Sequence, residues 1–296
     1  MRLVYLGSPD AAVKPLQALV AAGHEVLLVV SQPDRKRGRG ATLLPSPVKA
    51  AANALGLTVS DRVADIEAAV AAGAELGVVV AFGQLIRQPV LDLLPFVNLH
   101  FSLLPRWRGA APVERAILAG DRETGVCLMG LKAGLDTGPV YETVTTAIED
   151  ADDLATLRNR LVDIGTEMLL TRLAGGFSTL GTAEPQKGES TYATKLDPSE
   201  FLVEWSETAA SISRLSKLGT AYTLFRGKRL KLLRVDTSHE SLGAPGSLRF
   251  SHDGVWVAAG VGAVRLAQVQ PEGKGPMDAQ SWRNGAKPTE NDVMGQ

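Results

Sequence analysis

Cysteine is almost missing from this chain of 296 residues: Cys127 is the only one. A single thiol can form no disulfide within the chain and no cysteine-based zinc site, so a reducing compartment is expected. Aromatic residues are few, at 5%. Long apolar runs are also lacking. Leu76–Phe82 falls far short of the roughly 20 residues that span a bilayer. The opening Met1-Arg2-Leu3-Val4-Tyr5-Leu6-Gly7 reads as a strand entering a turn, not as a cleavable leader. A cytoplasmic protein with no membrane partner is the expectation. Neither Gly-x-Gly-x-x-Gly nor a P-loop sequence occurs, which removes the usual support for dinucleotide or ATP chemistry. No ligand cluster asks for a metal; His24, His239 and His252 lie apart from the motifs described below.

What is present is the composition of a globular protein, 45% hydrophobic and 21% charged. At roughly 100–200 residues per domain, two domains are expected. The net charge of −1 is unevenly spread: residues 1–205 carry 19 Lys and Arg against 24 Asp and Glu, residues 206–296 carry 12 against 8. An acidic large part and a basic small part fit a polyanion-binding appendage, or ordinary scatter.

The first part alternates two textures. Strands are predicted at Arg2–Leu6, Glu25–Ser31, Leu76–Phe82, Phe96–Leu103, Gly125–Leu131 and Gly138–Ile148. Helical spacing marks Asp10–Ala22, Pro47–Leu55, Asp65–Ala72, Leu85–Leu94, Val113–Ala119 and Leu154–Leu173. This rhythm predicts an α/β fold, a doubly wound, mostly parallel sheet with helices on both faces. The texture changes at Gly175. Residues 1–180 are assigned to a first domain, 181–205 to a linker and 206–296 to a second domain. There, after a helix at Ala209–Leu218, short strands at Tyr222–Phe225, Leu230–Val235, Gly246–Phe250, Gly254–Ala258 and Val264–Val269 suggest a small barrel or sandwich. The polar tail from about Gly285 is expected to be loose.

Ligands of open α/β sheets sit at the carboxyl ends of strands. At the first, Gly7-Ser8-Pro9-Asp10 reads as a tight turn, with Ser8 a candidate helix cap. The stretch Asn98 to Pro112 is more telling. Asn98, His100 and Ser102 alternate, so an amide, an imidazole and a hydroxyl share one strand face. Three buried polar groups would each need a partner, which favours a site over a structural histidine. Leu103-Leu104-Pro105 then stops the strand, and Arg106 and Arg108 add positive charge. Gly134-Leu135-Asp136-Thr137-Gly138 is either an ordinary turn or the carrier of a carboxylate that reaches His100, fixes its tautomer and favours its charged form. Arg35, Lys36, Arg37 and Arg39 place four cations in five positions on a Gly-flanked loop beside the same sheet edge, suited to phosphate-backbone contact. Cys127 sits in an apolar strand and reads as core.

On these residues the chain resembles the 10-formyltetrahydrofolate-using formyltransferases, and among them the methionyl-tRNA formyltransferases. The match is densest in Gln32-Pro33-Asp34 to Gly40, Pro45-Ser46-Pro47-Val48-Lys49, Asn98 to Pro112 and Gly134 to Gly138. The resemblance implies a Rossmann-like N-terminal domain, an OB-like C-terminal β-barrel that helps bind tRNA, and formyl transfer to methionyl-initiator tRNA. It implies 10-formyltetrahydrofolate as co-substrate, no metal, and initiator methionyl-tRNA as partner; a monomer is plausible. His100 would carry a proton or stabilise an oxyanion; an imidazole of ordinary pKa about 6.5 suits either task. Asn98 would donate to the oxyanion and Asp136 would orient His100. Ser102, Leu103, Leu104 and Pro105 match the folate-binding segment, and Phe82, Gly83, Leu85 and Ile86 would line the pterin pocket. Arg35, Lys36, Arg37 and Arg39 would meet the tRNA acceptor end. Where the family carries an Asn-Pro-Trp-Pro-like turn this chain has Lys217-Leu218-Gly219-Thr220-Ala221-Tyr222, so the C-terminal tRNA candidates Arg226, Lys228, Arg229 and Lys231 rest on charge alone. Two alternatives stand beside this. One is a formyltransferase of sugar nucleotides or glycinamide ribonucleotide, or the related hydrolase, which would not need the basic loop. The other is a non-catalytic RNA-binding module, which would not need Asn98, His100 and Asp136.

Overall fold

Near-continuous apolar runs such as Leu76-Gly77-Val78-Val79-Val80 can only be satisfied in strands covered on both faces. In a computed structural model describing residues 1–37 and 42–296 they are the inner strands of a seven-stranded sheet. The chain divides into two units. One comprises residues 1–113, 123–147 and 157–194; the other comprises 114–122, 148–156 and 195–296.

In the first unit β1 (Arg2–Gly7) passes through a 3-10 turn into α1 (Val13–Ala21) and β2 (Glu25–Val30). A short hairpin of β3 (Arg35–Arg37) and β4 (Thr42–Leu44) precedes α2 (Pro47–Ala54), which Ser46 caps by accepting the Lys49 N–H at 3.0 Å. Then come β5 (Val59–Ser60), α3 (Ile66–Ala71), β6 (Leu76–Val80), α4 (Gln88–Leu91) and β7 (Phe96–His100). The predicted helix over 85–94 shrinks to α4 because Pro89, which lacks an N–H, is confined to a first turn. Two-residue β8 (Arg108–Gly109), α5 (Pro112–Ala119, which from Glu114 onward falls in the second unit), β9 (Glu123–Gly130), β10 (Val140–Ala147), α6 (Leu154–Leu173, its first three residues likewise in the second unit) and β11 (Tyr192–Ala193) follow.

The sheet order is β10-β9-β7-β6-β1-β2-β5. The five strands β7, β6, β1, β2 and β5 are parallel, whereas β9 pairs antiparallel with both β7 and β10. The sheet is therefore mixed, parallel except for its edge hairpin, and Rossmann-like. Order reverses between β1 and β6, so the crevice of such sheets opens beyond Gly7 and Val80. A Cβ on Gly7 would meet that of Ala12 at 2.8 Å and the Val80 carbonyl at 3.0 Å, so only glycine fits. Ser8 does not cap a helix. Its hydroxyl accepts the Gln32 N–H (3.2 Å) and donates to the Phe82 carbonyl (3.4 Å), tying together the turns after β1, β2 and β6. On α6, Leu157, Leu161, Gly165, Met168 and Leu169 are buried. A Cβ on Gly165 would lie 3.2 Å from both Leu99 and Val126 of the sheet, so the helix packs tightly there.

The second unit contains α7 (Ala209–Ser216), β12 (Tyr222–Phe225), β13 (Lys228–Ser238), β14 (Leu248–Ser251), β15 (Gly254–Ala258), β16 (Ala263–Pro271), β17 (Met277–Asp278) and α8 (Ala279–Ala286). Its antiparallel sheet, β12-β13-β16-β15-β14 with β17 on β16, curls into a half-barrel; no ladder joins β14 to β12 among the described residues. Register shifts at Leu232–Arg234–Val235 let the long β13 bend. Its core includes Trp205, Ile212, Leu232, Val257 and Trp282. The Trp205 indole donates to Thr223 Oγ1 at 2.9 Å, and Phe225 meets Trp282 edge-on at 5.1 Å. The tail is docked rather than loose. Met294 is buried, its N–H and that of Gly295 bond the carbonyls of Gly246 and Leu224, and Asp292 grips Arg226. No helix among the described residues is long and apolar enough to cross a membrane.

Candidate active site

Strand β7 presents Asn98 and His100 at its carboxyl end, 8% and 5% exposed, paired in register with Met129 and Cys127 of β9. The predicted strand through Leu103 stops at His100. The Ser102 N–H turns back onto the His100 carbonyl (3.0 Å), and the fully buried Ser102 hydroxyl donates to the Arg106 carbonyl (2.6 Å). Ser102 therefore leaves the shared face and clamps the following turn, where Pro105 could not have extended a ladder. The Asn98 amide makes no side-chain hydrogen bond to another described residue, which leaves its N–H groups available.

His100 is held on two sides. Its Nε2 lies 2.9 Å from the Trp107 carbonyl. A carbonyl can only accept, so Nε2 carries the hydrogen and Nδ1 is the ring atom left to exchange a proton. Nδ1 faces Asp136 Oδ2 at 3.7 Å, beyond a direct hydrogen bond but within charge pairing, with the two side chains only 6% and 14% exposed. The same Oδ2 accepts the Gly109 N–H at 2.7 Å. Trp107, Gly109 and Asp136 all adopt positive φ, 61°, 118° and 48°. Two of the glycines cannot be replaced without collision. A Cβ on Gly109 would approach the Ala193 carbonyl to 2.8 Å, and one on Gly138 would fall 1.7 Å from the Gly130 carbonyl.

Residues 184–193, within the expected linker, run along this corner. Glu184 bridges to Val140, and β11 pairs in parallel with β8. Gln186 Nε2 donates to the carbonyls of Asp136 and Gly138, both at 2.8 Å, while its Oε1 accepts from Arg108 Nε (3.1 Å) and Nη2 (2.7 Å). Thr191 Oγ1 accepts the Trp107 N–H at 2.9 Å. Sequence reasoning passed over Gln186 and Thr191. The segment is polar, carries no periodicity and bonds to partners some 50 to 84 positions away.

The remaining candidates stand on three other segments. Phe82 and Ile86 pack into the core with Val4, Leu28 and Phe96, while Gly83 (φ +73°) and Leu85 are exposed on the turn after β6. Leu103, Leu104 and Pro105 are half-buried in the turn closed by the Arg106 N–H on the Leu103 carbonyl. Arg35 and Lys36 stand on β3, where Arg35 bonds Gln32 and Lys49 bonds Asp34 at its base; Arg37 ends that strand. Arg39 lies outside the described residues. Burial pushes the Cys127 thiol up, with Thr143 as its hydrogen-bond neighbour, so it reads as core. A cleft of about 740 Å³ lies in the second unit, lined by Arg234, Asp236, Asp253, Arg265 and Asp278 among others. Its carboxylates are already engaged: Asp236 with Arg265, Asp253 with Ser251 and Trp256, and Asp278 capping α8. The chemistry-bearing groups are at the end of β7.

Residues 1–173 match the family described as formyl transferase, and residues 195–287 match the formyl transferase C-terminal domain. A methionyl-tRNA formyltransferase of Jannaschia sp. (strain CCS1) is 46% identical over 298 residues, covering 97% of each chain. Among solved structures, HypX from Aquifex aeolicus in complex with tetrahydrofolic acid aligns with a TM-score of 0.65 at 19% identity, over 96% of this chain and 47% of that one. A methionyl-tRNA formyltransferase from Clostridium thermocellum aligns with a TM-score of 0.58 at 13% identity, over 80% of this chain and 93% of that one. At such identities these structures speak to the fold alone.

Proposed function

Because the chain belongs to the formyltransferase family, matched in both its N-terminal and its C-terminal parts, we infer that it transfers a formyl group from 10-formyltetrahydrofolate to the α-amino group of methionyl-initiator tRNA. The curated relatives that carry this name extend over almost the whole chain. The observation that carries the chemistry is the end of β7: a buried imidazole with one nitrogen fixed, the other facing a carboxylate, and an amide on the same strand face.

The donor set fits the reaction. The amine attacks the formyl carbon, and the carbonyl oxygen takes up negative charge in the tetrahedral centre. The Asn98 amide donates to that oxygen, an interaction whose loss typically costs about 10²–10³ in rate. The attacking nitrogen must lose a proton, and N10 of the folate must gain one as the C–N10 bond breaks. His100 Nδ1 takes up the first proton and returns it to N10, so the transfer is proton-neutral. Asp136 faces the imidazolium that forms between the two steps, stabilising its charge and holding the ring. Residues 102–105 together with Phe82, Gly83, Leu85 and Ile86 are assigned to the folate, and Arg35, Lys36, Arg37 and Arg39 to the tRNA acceptor end. We assign catalysis to residues 1–180, joined by residues 181–205 to an OB-like tRNA-binding barrel at 206–296, in a cytoplasmic monomer. The basic hairpin favours tRNA over a small amino sugar, which offers too few phosphates to occupy it.

The test is substrate choice. Incubated with 10-formyltetrahydrofolate, the protein should formylate methionyl-tRNA and leave free methionine and amino-sugar nucleotides unmodified. Formylation of an amino sugar, or release of free formate with methionyl-tRNA unchanged, overturns this reading.

A further inference from the structure

We propose that Gln186 is a positioning residue that sets the direction of the Asp136 carboxylate; the inference rests on the functional reading above. Its amide is fully committed. Both N–H bonds go to main-chain carbonyls, those of Asp136 and Gly138, at 2.8 Å each. These flank Thr137, so one side chain pins the turn on both sides of its tip. The oxygen accepts two bonds from the Arg108 guanidinium. Arg108 precedes Gly109, whose N–H holds the Asp136 carboxylate. Gln186 thus fixes both the residue that carries the carboxylate and the strand that grips it.

The need is conformational. Asp136 sits at φ 48°, where a non-glycine residue is strained and stays only if its surroundings hold it. Glutamine is the side chain that fits these four bonds. Glutamate would keep an acceptor for Arg108 but aim lone pairs at two carbonyls. Leucine would make none of the bonds. Asparagine is one methylene too short to span Arg108 and the turn. The 3.7 Å separation of His100 Nδ1 and Asp136 makes the arrangement sensitive, since a misplacement of about 1 Å can cost about 10²-fold in rate.

The test is a set of Gln186→Leu, Gln186→Glu, Asp136→Asn and the double variant Gln186→Leu/Asp136→Asn, assayed for methionyl-tRNA formylation with folate and tRNA each varied from below KM to saturation. Both Gln186 variants should lose about 10- to 100-fold in kcat while KM for either substrate moves less than about threefold. In the Asp136→Asn background Gln186→Leu should cost less than about threefold more, because it acts through a carboxylate no longer there. Gln186→Glu retains the Arg108 tie and so keeps the segment anchored if the leucine variant folds poorly. Wild-type kcat in Gln186→Glu, a loss confined to KM, or full multiplication of the two single losses each overturn the proposal. Failure of the unmutated protein to formylate methionyl-tRNA strikes the functional reading instead.

Discussion

The corner at the end of β7 and the core of the second unit hold their side chains by opposite means. At the corner, position is set by directed bonds: Trp107 on His100, Gly109 on Asp136, Gln186 on the turn and Thr191 on Trp107. In the second unit it is set by interlocked apolar groups such as Trp205, Phe225, Leu232 and Trp282, with Met294 of the tail closing the edge. A directed network fixes angles to the precision chemistry needs but depends on each link. An apolar core tolerates small shifts and loses stability in proportion to the volume removed.

Substitutions should separate the two regimes. Asn98→Ala, which removes a donor that bonds no other described residue, should lower formyl transfer by about 10²–10³-fold at little changed thermal stability; a large fall in melting temperature would place Asn98 with the packing residues. Trp282→Ala should do the reverse, costing the second unit about 3–5 kcal/mol in chemical unfolding. If the first unit's transition moved with it by the same amount, the contrast between the units would fail. Gly109→Ala forces a Cβ toward the Ala193 carbonyl at φ 118°, a strain of about 1–3 kcal/mol, and should weaken activity more than a surface glycine change such as Gly273→Ala. The smallest effect is expected at the tail. The hydrogen bonds from Arg226 hold the Asp292 carboxyl well below the ordinary carboxylate range. A depressed carboxylate stabilises the docked tail above the unfolded value of about 4 and loses that contribution as pH falls toward its folded value. Tryptophan emission of the second unit should show a component titrating below about pH 4 that disappears in Asp292→Asn; an unchanged acid profile in that variant removes the pair from the account.

The same contrast explains what could be read from the sequence. Apolar runs and helical spacing located β1, β2, β6, β7 and α6, because burial writes itself into local composition. Strand direction does not. Val126 to Met129 reads alike in either orientation, so the antiparallel edge appears only when β9 is seen beside β7. Asn98 and His100 were legible because polar alternation is out of place in a buried strand; Asp136 lies on a turn that reads equally well as an ordinary one, and only the family resemblance singled it out. Ser102 was misplaced because alternation says nothing of where a strand ends. Gln186 and Thr191 carry no local mark, since what they do is defined by carbonyls and N–H groups that only the fold brings to them. The tail was misjudged on composition, because a stretch that is polar on average still holds the buried Met294.

His100→Ala in single-turnover formylation of methionyl-tRNA, enzyme in excess, tests the site most directly. The arrangement of Nδ1, Asp136 and Asn98 predicts a fall of about 10²–10⁴-fold in the transfer step, with tRNA affinity and melting temperature as in the unmutated protein. Transfer at a rate near that of the unmutated protein would contradict it.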